Sequence, residues 1–203
     1  MIGSLKVFDR NYIRVLKPAT LNPWAYQLNY FTPAECDEII TLGLELETQA
    51  GNLGTGRTVD SQVRQSTVSF FRPSDTRTEW IFNRINVAVD NFNRQFWNFD
   101  LKFVECLQFA RYDQLGDFYC SHMDMFYDQL EIRKLSISVQ LSDAAEYQGS
   151  DLRMLRYGQE YDCAPRDRGS IIVFPSYQVH EVTPLITGSR YSMVAWVVGP
   201  PFR

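Results

Sequence analysis

The sequence predicts an α+β chain, mainly β, with a barrel or sandwich core buttressed by N-terminal helices. Three observations lead there. Helical periodicity is confined to residues 31–96. From residue 101 onward the chain turns to short strand-like segments separated by turn residues. No repeat, low-complexity tract or Pro/Gly-rich linker divides the 203 residues, so a single domain over 1–203 is expected, with helical support about 30–100 and the β core about 101–200.

The elements follow in order. Residues 1–30 look irregular, with strand-like pieces such as Tyr12–Leu16. Thr32, Pro33 and Glu35 spell a helix start: an N-cap, a proline at the first helical position, and an acid to close a capping box. Apolar residues Ile39, Ile40, Leu42, Leu44 and Leu46 continue that helix, which ends near Thr48. Residues 49–66 hold three glycines and almost no apolar side chain, which reads as a long polar loop, either a lid or plain surface. Ser66–Arg72 reads as a strand. Trp80, Ile81, Ile85, Val89 and Phe92 recur at helical spacing, giving a second helix over 76–96 whose aromatic stripe belongs to the core. Strands are expected at 103–112, 117–122, 134–141, 151–156, 170–174, 178–184 and 190–198. Alternation is sharpest where Leu135, Ile137, Val139 and Leu141 face away from Ser136, Ser138, Gln140 and Ser142.

Composition removes several function classes. Net charge is −4, which argues against a nucleic-acid face built on clustered Lys and Arg. No apolar run approaches the roughly 20 residues needed to span a bilayer. The N-terminus lacks the pattern of a signal peptide, so a cytoplasmic protein is expected. Cys36, Cys106, Cys120 and Cys163 form no Cys-x-x-Cys pair and read as reduced thiols rather than a zinc site. Oligomeric state is left open.

The chain has only two histidines, and both look like metal ligands. His122 and Asp124 form a His-x-Asp motif, and His180 lies 58 residues after His122. Two imidazoles and a carboxylate on one face are the ligand set of a non-haem Fe(II) oxygenase, which keeps its other positions open. A cupin would instead carry a His-x-His pair.

Several segments, taken in order, resemble one family. They are Gln108–Asp124, with Tyr112, Gly116 and Tyr119 before the His-x-Asp; Arg133–Ser142; Gln148–Leu152; Arg168–Ser176; and His180–Pro184, continuing through Gly188, Arg190 and Trp196. Together they resemble the Fe(II)/2-oxoglutarate dioxygenases, in their prolyl 4-hydroxylase-like branch, over roughly residues 30–200. The resemblance implies a double-stranded β-helix (jelly-roll) core. It also implies Fe(II) on His122, Asp124 and His180, with 2-oxoglutarate and O2 as co-reactants, and it admits ascorbate.

Arg190, ten residues after His180, is then the cation for the far carboxylate of 2-oxoglutarate, where a guanidinium forms a bidentate charge-assisted pair. Tyr112 supplies a phenol to the cosubstrate, and Trp196 packs beside it. Gln140 stands where some relatives place a tyrosine that reaches 2-oxoglutarate, so its role there is open. Tyr119 and Arg64 are expected substrate contacts, and loop 49–66 with segment 125–133 would grip a peptide. The implied reaction is hydroxylation of an aliphatic C–H, of a peptidyl proline first, with a lysyl residue or small molecule as alternatives. The retained Asp124 disfavours a halogenase. Trp196, six residues after Arg190, stands where nucleic-acid demethylases carry a second arginine. A non-catalytic jelly-roll binding module is the rival of another class.

Overall fold

The computed structural model describes residues 23–50, 62–125, 131–156 and 160–202. The expected piece 12–16, residues 51–61 of loop 49–66 and residues 126–130 of segment 125–133 lie outside them.

The first helix starts where its capping signals place it. Helix α1 runs Pro33–Glu45. The Glu35 N–H donates to the Thr32 hydroxyl at 3.2 Å, and the Thr32 N–H donates to the Glu35 carboxylate at 2.7 Å. Two of the orphan donors at the helix start are thus satisfied. The helix stops three residues earlier than Thr48, because Leu46 turns extended and donates its N–H to Gly43. Helix α2 spans Glu79–Phe92 and passes into a π-helical turn, Asn93–Trp97. The turn ends on Asn98 at φ 51°, and the Asn93 side chain both donates to and accepts from Phe99.

Among the described residues there are fourteen strands before, between and after the helices. They are β1 (Ala25–Gln27), β2 (Gln49–Ala50), β3 (Arg64–Gln65), β4 (Thr67–Phe71), β5 (Phe103–Tyr112), β6 (Phe118–His122) and β7 (Ile132–Gln140). They continue as β8 (Tyr147–Gly149), β9 (Leu152–Leu155), β10 (Tyr161–Cys163), β11 (Ile171–Pro175), β12 (His180–Val182), β13 (Leu185–Gly188) and β14 (Arg190–Gly199). The seven expected strands of the second half are all present. The two ends of the expected loop 49–66 pair instead as β2 against β4 and β3 against β6.

Strand order is β1-β11-β7-β14-β5-β4-β2 in a seven-stranded sheet and β10-β9-β12-β6-β3 in a five-stranded one, with β8 and β13 paired apart. The two larger sheets face each other as the expected jelly roll. Ala110, Tyr112, Ile172 and Phe174 of the larger sheet pack with Leu152, Met154 and Val182 of the smaller between the layers. The other face of the larger sheet, with Leu107, Phe109, Val139 and Met193, packs on Phe31, Ile39, Ile81 and Ile85 of the helical layer. Alternation along β7 therefore separates a helix-packed face from an inner face. Ser136, Ser138 and Gln140 are all buried.

Gly169 ties the two layers. Its carbonyl accepts the Phe31 N–H, and its own N–H donates to Gln140. Its φ is +79°, and a Cβ there would lie 2.0 Å from the Phe31 carbonyl oxygen. Gly169→Ala is expected to destabilise the protein by about 2 kcal/mol or more, through left-handed strain and backbone overlap, read as a lower midpoint in denaturant unfolding.

Candidate active site

Strand register brings the distant ligands together. β6 and β12 are antiparallel neighbours, and His122 pairs directly with His180. Asp124 follows β6 and is held by its own backbone, which donates to Ser176 at 2.9 Å. The His122 Nε2 lies 3.5 Å from Asp124 Oδ1, and the His180 Nε2 lies 3.6 Å from Asp124 Oδ2. One ligand atom from each residue falls within 4.8 Å of the others.

Both imidazoles are aimed in the same way. His122 Nδ1 lies 2.8 Å from the Cys120 carbonyl, and His180 Nδ1 lies 2.9 Å from the Gln178 carbonyl. A carbonyl only accepts, so each Nδ1 carries a proton, and in the neutral ring Nε2 keeps its lone pair for a metal. Burial first, with His122 beside it, lowers the His180 pKa to about 4 against the pull of Asp124, so this ring is neutral at pH 7. Burial opposes the charge on Asp124, but His180, His122 and the Ser136 hydroxyl outweigh it and hold the carboxyl well below the usual range. Two imidazole nitrogens and one carboxylate oxygen on a common side fit Fe(II).

The partners of Asp124 are residues that sequence reading did not single out. The Ser136 hydroxyl donates to Asp124 Oδ2 at 2.7 Å and lies 2.9 Å from the Ser176 hydroxyl. A period-two serine inside a strand buried on both faces was the available signal. Ser136→Ala is expected to weaken metal binding by about 10–100-fold with the fold intact, measured by competition with a metallochromic chelator. Gln108, Ser138 and Ser192 also line the cavity and were not anticipated. Phe174 covers His180, with ring centroids 4.7 Å apart.

The remaining predicted residues line the same cavity or its wall. Arg190 pairs with Tyr112 across β14 and β5, and its guanidinium carbon lies 5.5 Å from the tyrosine ring centroid. Arg190 is 1% exposed. Its Nε and Nη2 donate to the Gln140 Oε1 at 3.1 and 2.8 Å, while its Nη1 has no partner. No carboxylate lies within ion-pair distance of it among the described residues. Gln140 is fixed in turn by donating to the Pro165 carbonyl at 3.1 Å. It therefore faces the arginine as a neutral acceptor. Tyr119 stacks on His122 at 3.6 Å, and burial pushes its phenol up to about 12. Arg64 lies with its guanidinium carbon 4.6 Å from the Tyr119 ring centroid. Trp196 faces the cavity, its ring covered by Arg133 at 4.1 Å.

Comparison with known proteins agrees with this geometry. The sequence profile of the 2OG-Fe(II) oxygenase superfamily matches residues 107–198. Over that segment, a little under half its length, the chain is similar to this superfamily. A PKHD-type hydroxylase of Synechococcus sp. (strain CC9605) is 32% identical over 40% of this chain and 37% of that protein. A probable prolyl 4-hydroxylase of Arabidopsis thaliana is 26% identical over 93% of this chain and 73% of its own length. The chain thus spans little more than a third of the length of the first of these relatives. Among solved structures, a Trichoplax adhaerens prolyl hydroxylase in complex with a hypoxia inducible factor peptide fragment superposes with TM-score 0.74 at 15% identity, covering 88% of this chain and 84% of that one. That likeness supports the jelly-roll fold. The superfamily's cofactors are Fe(II) and 2-oxoglutarate, and the His122–Asp124–His180 triad fits the iron.

Proposed function

We propose that the chain is a 2-oxoglutarate- and Fe(II)-dependent dioxygenase that hydroxylates an aliphatic C–H, with a peptidyl proline as its first substrate class. One observation carries the reading. A fully buried arginine with an unpartnered Nη1 faces the same cavity as an open His–Asp–His triad. A buried cation without an acid is costly unless an anion arrives to meet it. The prolyl hydroxylase relatives support the choice of proline.

His122 Nε2, His180 Nε2 and one Asp124 oxygen would hold the iron, and Ser136 would steady the carboxylate. Arg190 would bind the far carboxylate of 2-oxoglutarate through Nη1, with Gln140 fixing the guanidinium plane. When bound, Fe(II), 2-oxoglutarate and O2 supply an oxidation in which one oxygen atom enters the substrate C–H, the other enters succinate, and CO2 is released. Ile137, Phe174 and Val182 wall the cavity with apolar surface and exclude water from that chemistry. We read the helical layer and both sheets as one catalytic domain. No described helix is long and apolar enough to cross a membrane. A cytoplasmic setting is proposed on the four cysteines, none of them bridged.

The test is conversion of 2-oxoglutarate to succinate with Fe(II), with and without a pool of proline-containing peptides. Hydroxylated residues are located by tandem mass spectrometry as a shift of about +16. Succinate no higher than in a His122→Ala control would overturn the reading. Succinate with oxidation confined to lysine, or to an added small molecule, would keep the reaction and replace the substrate.

A further inference from the structure

We infer that the substrate carries a carboxylate close to the carbon that is oxidised, and that Arg64 receives it; this rests on the dioxygenase reading above. The argument is a charge count. Among the described residues, three charged side chains line the cavity, the guanidinium groups of Arg64 and Arg190 and the carboxylate of Asp124. Both imidazoles keep a metal-facing lone pair and are neutral when they bind. Fe(II) and 2-oxoglutarate carry equal and opposite charges. Counted over the described lining, the loaded cavity therefore retains one excess positive charge. Arg190 is already matched to the cosubstrate, so the excess belongs to Arg64.

Arg64 is built into the site. It is 5% exposed. Half-buried arginines elsewhere, such as Arg111 and Arg153, each hold a carboxylate. Among the described residues, the two buried arginines are the ones facing the cavity, and neither has a carboxylate at ion-pair distance. The Arg64 Nε donates to the Ser66 hydroxyl at 2.7 Å, which fixes the guanidinium plane. Strand pairing sets Arg64 opposite Tyr119, whose ring the guanidinium overlies. Tyr119 stacks in turn on the metal ligand His122. The cation is thus held next to the reacting face by a ring and a hydroxyl, neither of which cancels its charge.

A single excess charge and a planar fork of N–H donors match a carboxylate rather than a doubly charged phosphate. The two arginines approach from different sheets, Arg190 on β14 beside Tyr112 and Arg64 on β3 beside Tyr119. Within the proline reading, the carboxylate is either the free C-terminus of a peptide ending in proline or an acidic side chain next to it.

Isothermal titration tests this on the full chain loaded with Fe(II) and 2-oxoglutarate under argon. Four probes are used: N-acetyl-Ala-Pro as the free acid, N-acetyl-Glu-Pro-amide, N-acetyl-Ala-Pro-amide and N-acetyl-Lys-Pro-amide. At least one acid-bearing peptide is expected to bind about tenfold or more tightly than the neutral amide, with the lysyl peptide weakest. Comparison of the two acidic probes identifies the source of the carboxylate. Arg64→Met is expected to erase the preference, and Arg64→Lys to retain part of it. Equal affinities, no binding by any probe, or a preference that survives Arg64→Met would each overturn the inference. A prior titration of the Fe(II)-loaded chain with 2-oxoglutarate alone reports on the dioxygenase reading. Failure there removes that reading, whereas 2-oxoglutarate binding without an acid preference removes only the inference about Arg64.

Discussion

Asp124→Ala is expected to abolish turnover and to lower Fe(II) affinity by more than about 100-fold, beyond what loss of an outer hydrogen-bond partner costs. Three consequences combine. The ion loses its only anionic ligand in the triad, and two neutral imidazoles compensate its charge poorly. The Ser136 hydroxyl loses its acceptor in a buried position. Finally, the two Nε2 atoms, each about 3.5 Å from an Asp124 oxygen (3.5 and 3.6 Å), lose the group they converge on. Equilibrium dialysis against Fe(II) under argon measures the affinity, and succinate release measures turnover. The strand pairing of His122 with His180 does not depend on the carboxylate, so circular dichroism of the variant should match the parent. A variant that binds iron as the parent does would remove Asp124 from the ligand set.

The second large effect concerns the far end of the cavity. Arg190→Ala is expected to raise the KM for 2-oxoglutarate about 10–100-fold, because hydrogen bonds to a charged group contribute about 1.5–3 kcal/mol. The loss falls on binding, so kcat at saturating 2-oxoglutarate should fall much less. Gln140→Glu gives an independent measure of the same contact. The glutamate would sit where an amide oxygen now accepts from Nε and Nη2, at 3.1 and 2.8 Å, and would neutralise the guanidinium it faces. A KM increase of similar size is expected although the arginine is still present. An unchanged KM in both variants would place the cosubstrate carboxylate elsewhere.

Much of this site could be read from the sequence because several short segments, each weak alone, occur in one order and at one spacing. The His-x-Asp is weak by itself and takes its meaning from the ordered segments around it, and register then places His122 against His180 as the ligand set requires. The longer strands were legible because period-two alternation spans several residues. What escaped has physical reasons. The three-residue strands β1, β8 and β10 are too short to show a period and exist only through their partners. Ser136, Ser138 and Gln108 are polar residues on an inner sheet face, where alternation looks the same whether that face meets water or a cavity. Gln140 was expected near the cosubstrate. Its role as a neutral clamp on Arg190 depends on the Pro165 carbonyl, 25 residues away, which no local pattern announces. The two-residue strand that fixes Arg64 follows a polar, glycine-containing stretch, and only its pairing with β6 marks it as structured.

Each imidazole of the candidate triad donates to the carbonyl two residues before it, His122 to Cys120 and His180 to Gln178. The strand that carries the ring thus also sets its tautomer, and no other element has to move for the nitrogens to be ready. A triad prepared in this way does not discriminate among divalent ions by induced fit. Cobalt, nickel and zinc all outrank Fe(II) in affinity for such donors. On the iron reading, mismetallation is therefore an exposure of this donor set, and metal availability joins site geometry in deciding which ion it holds.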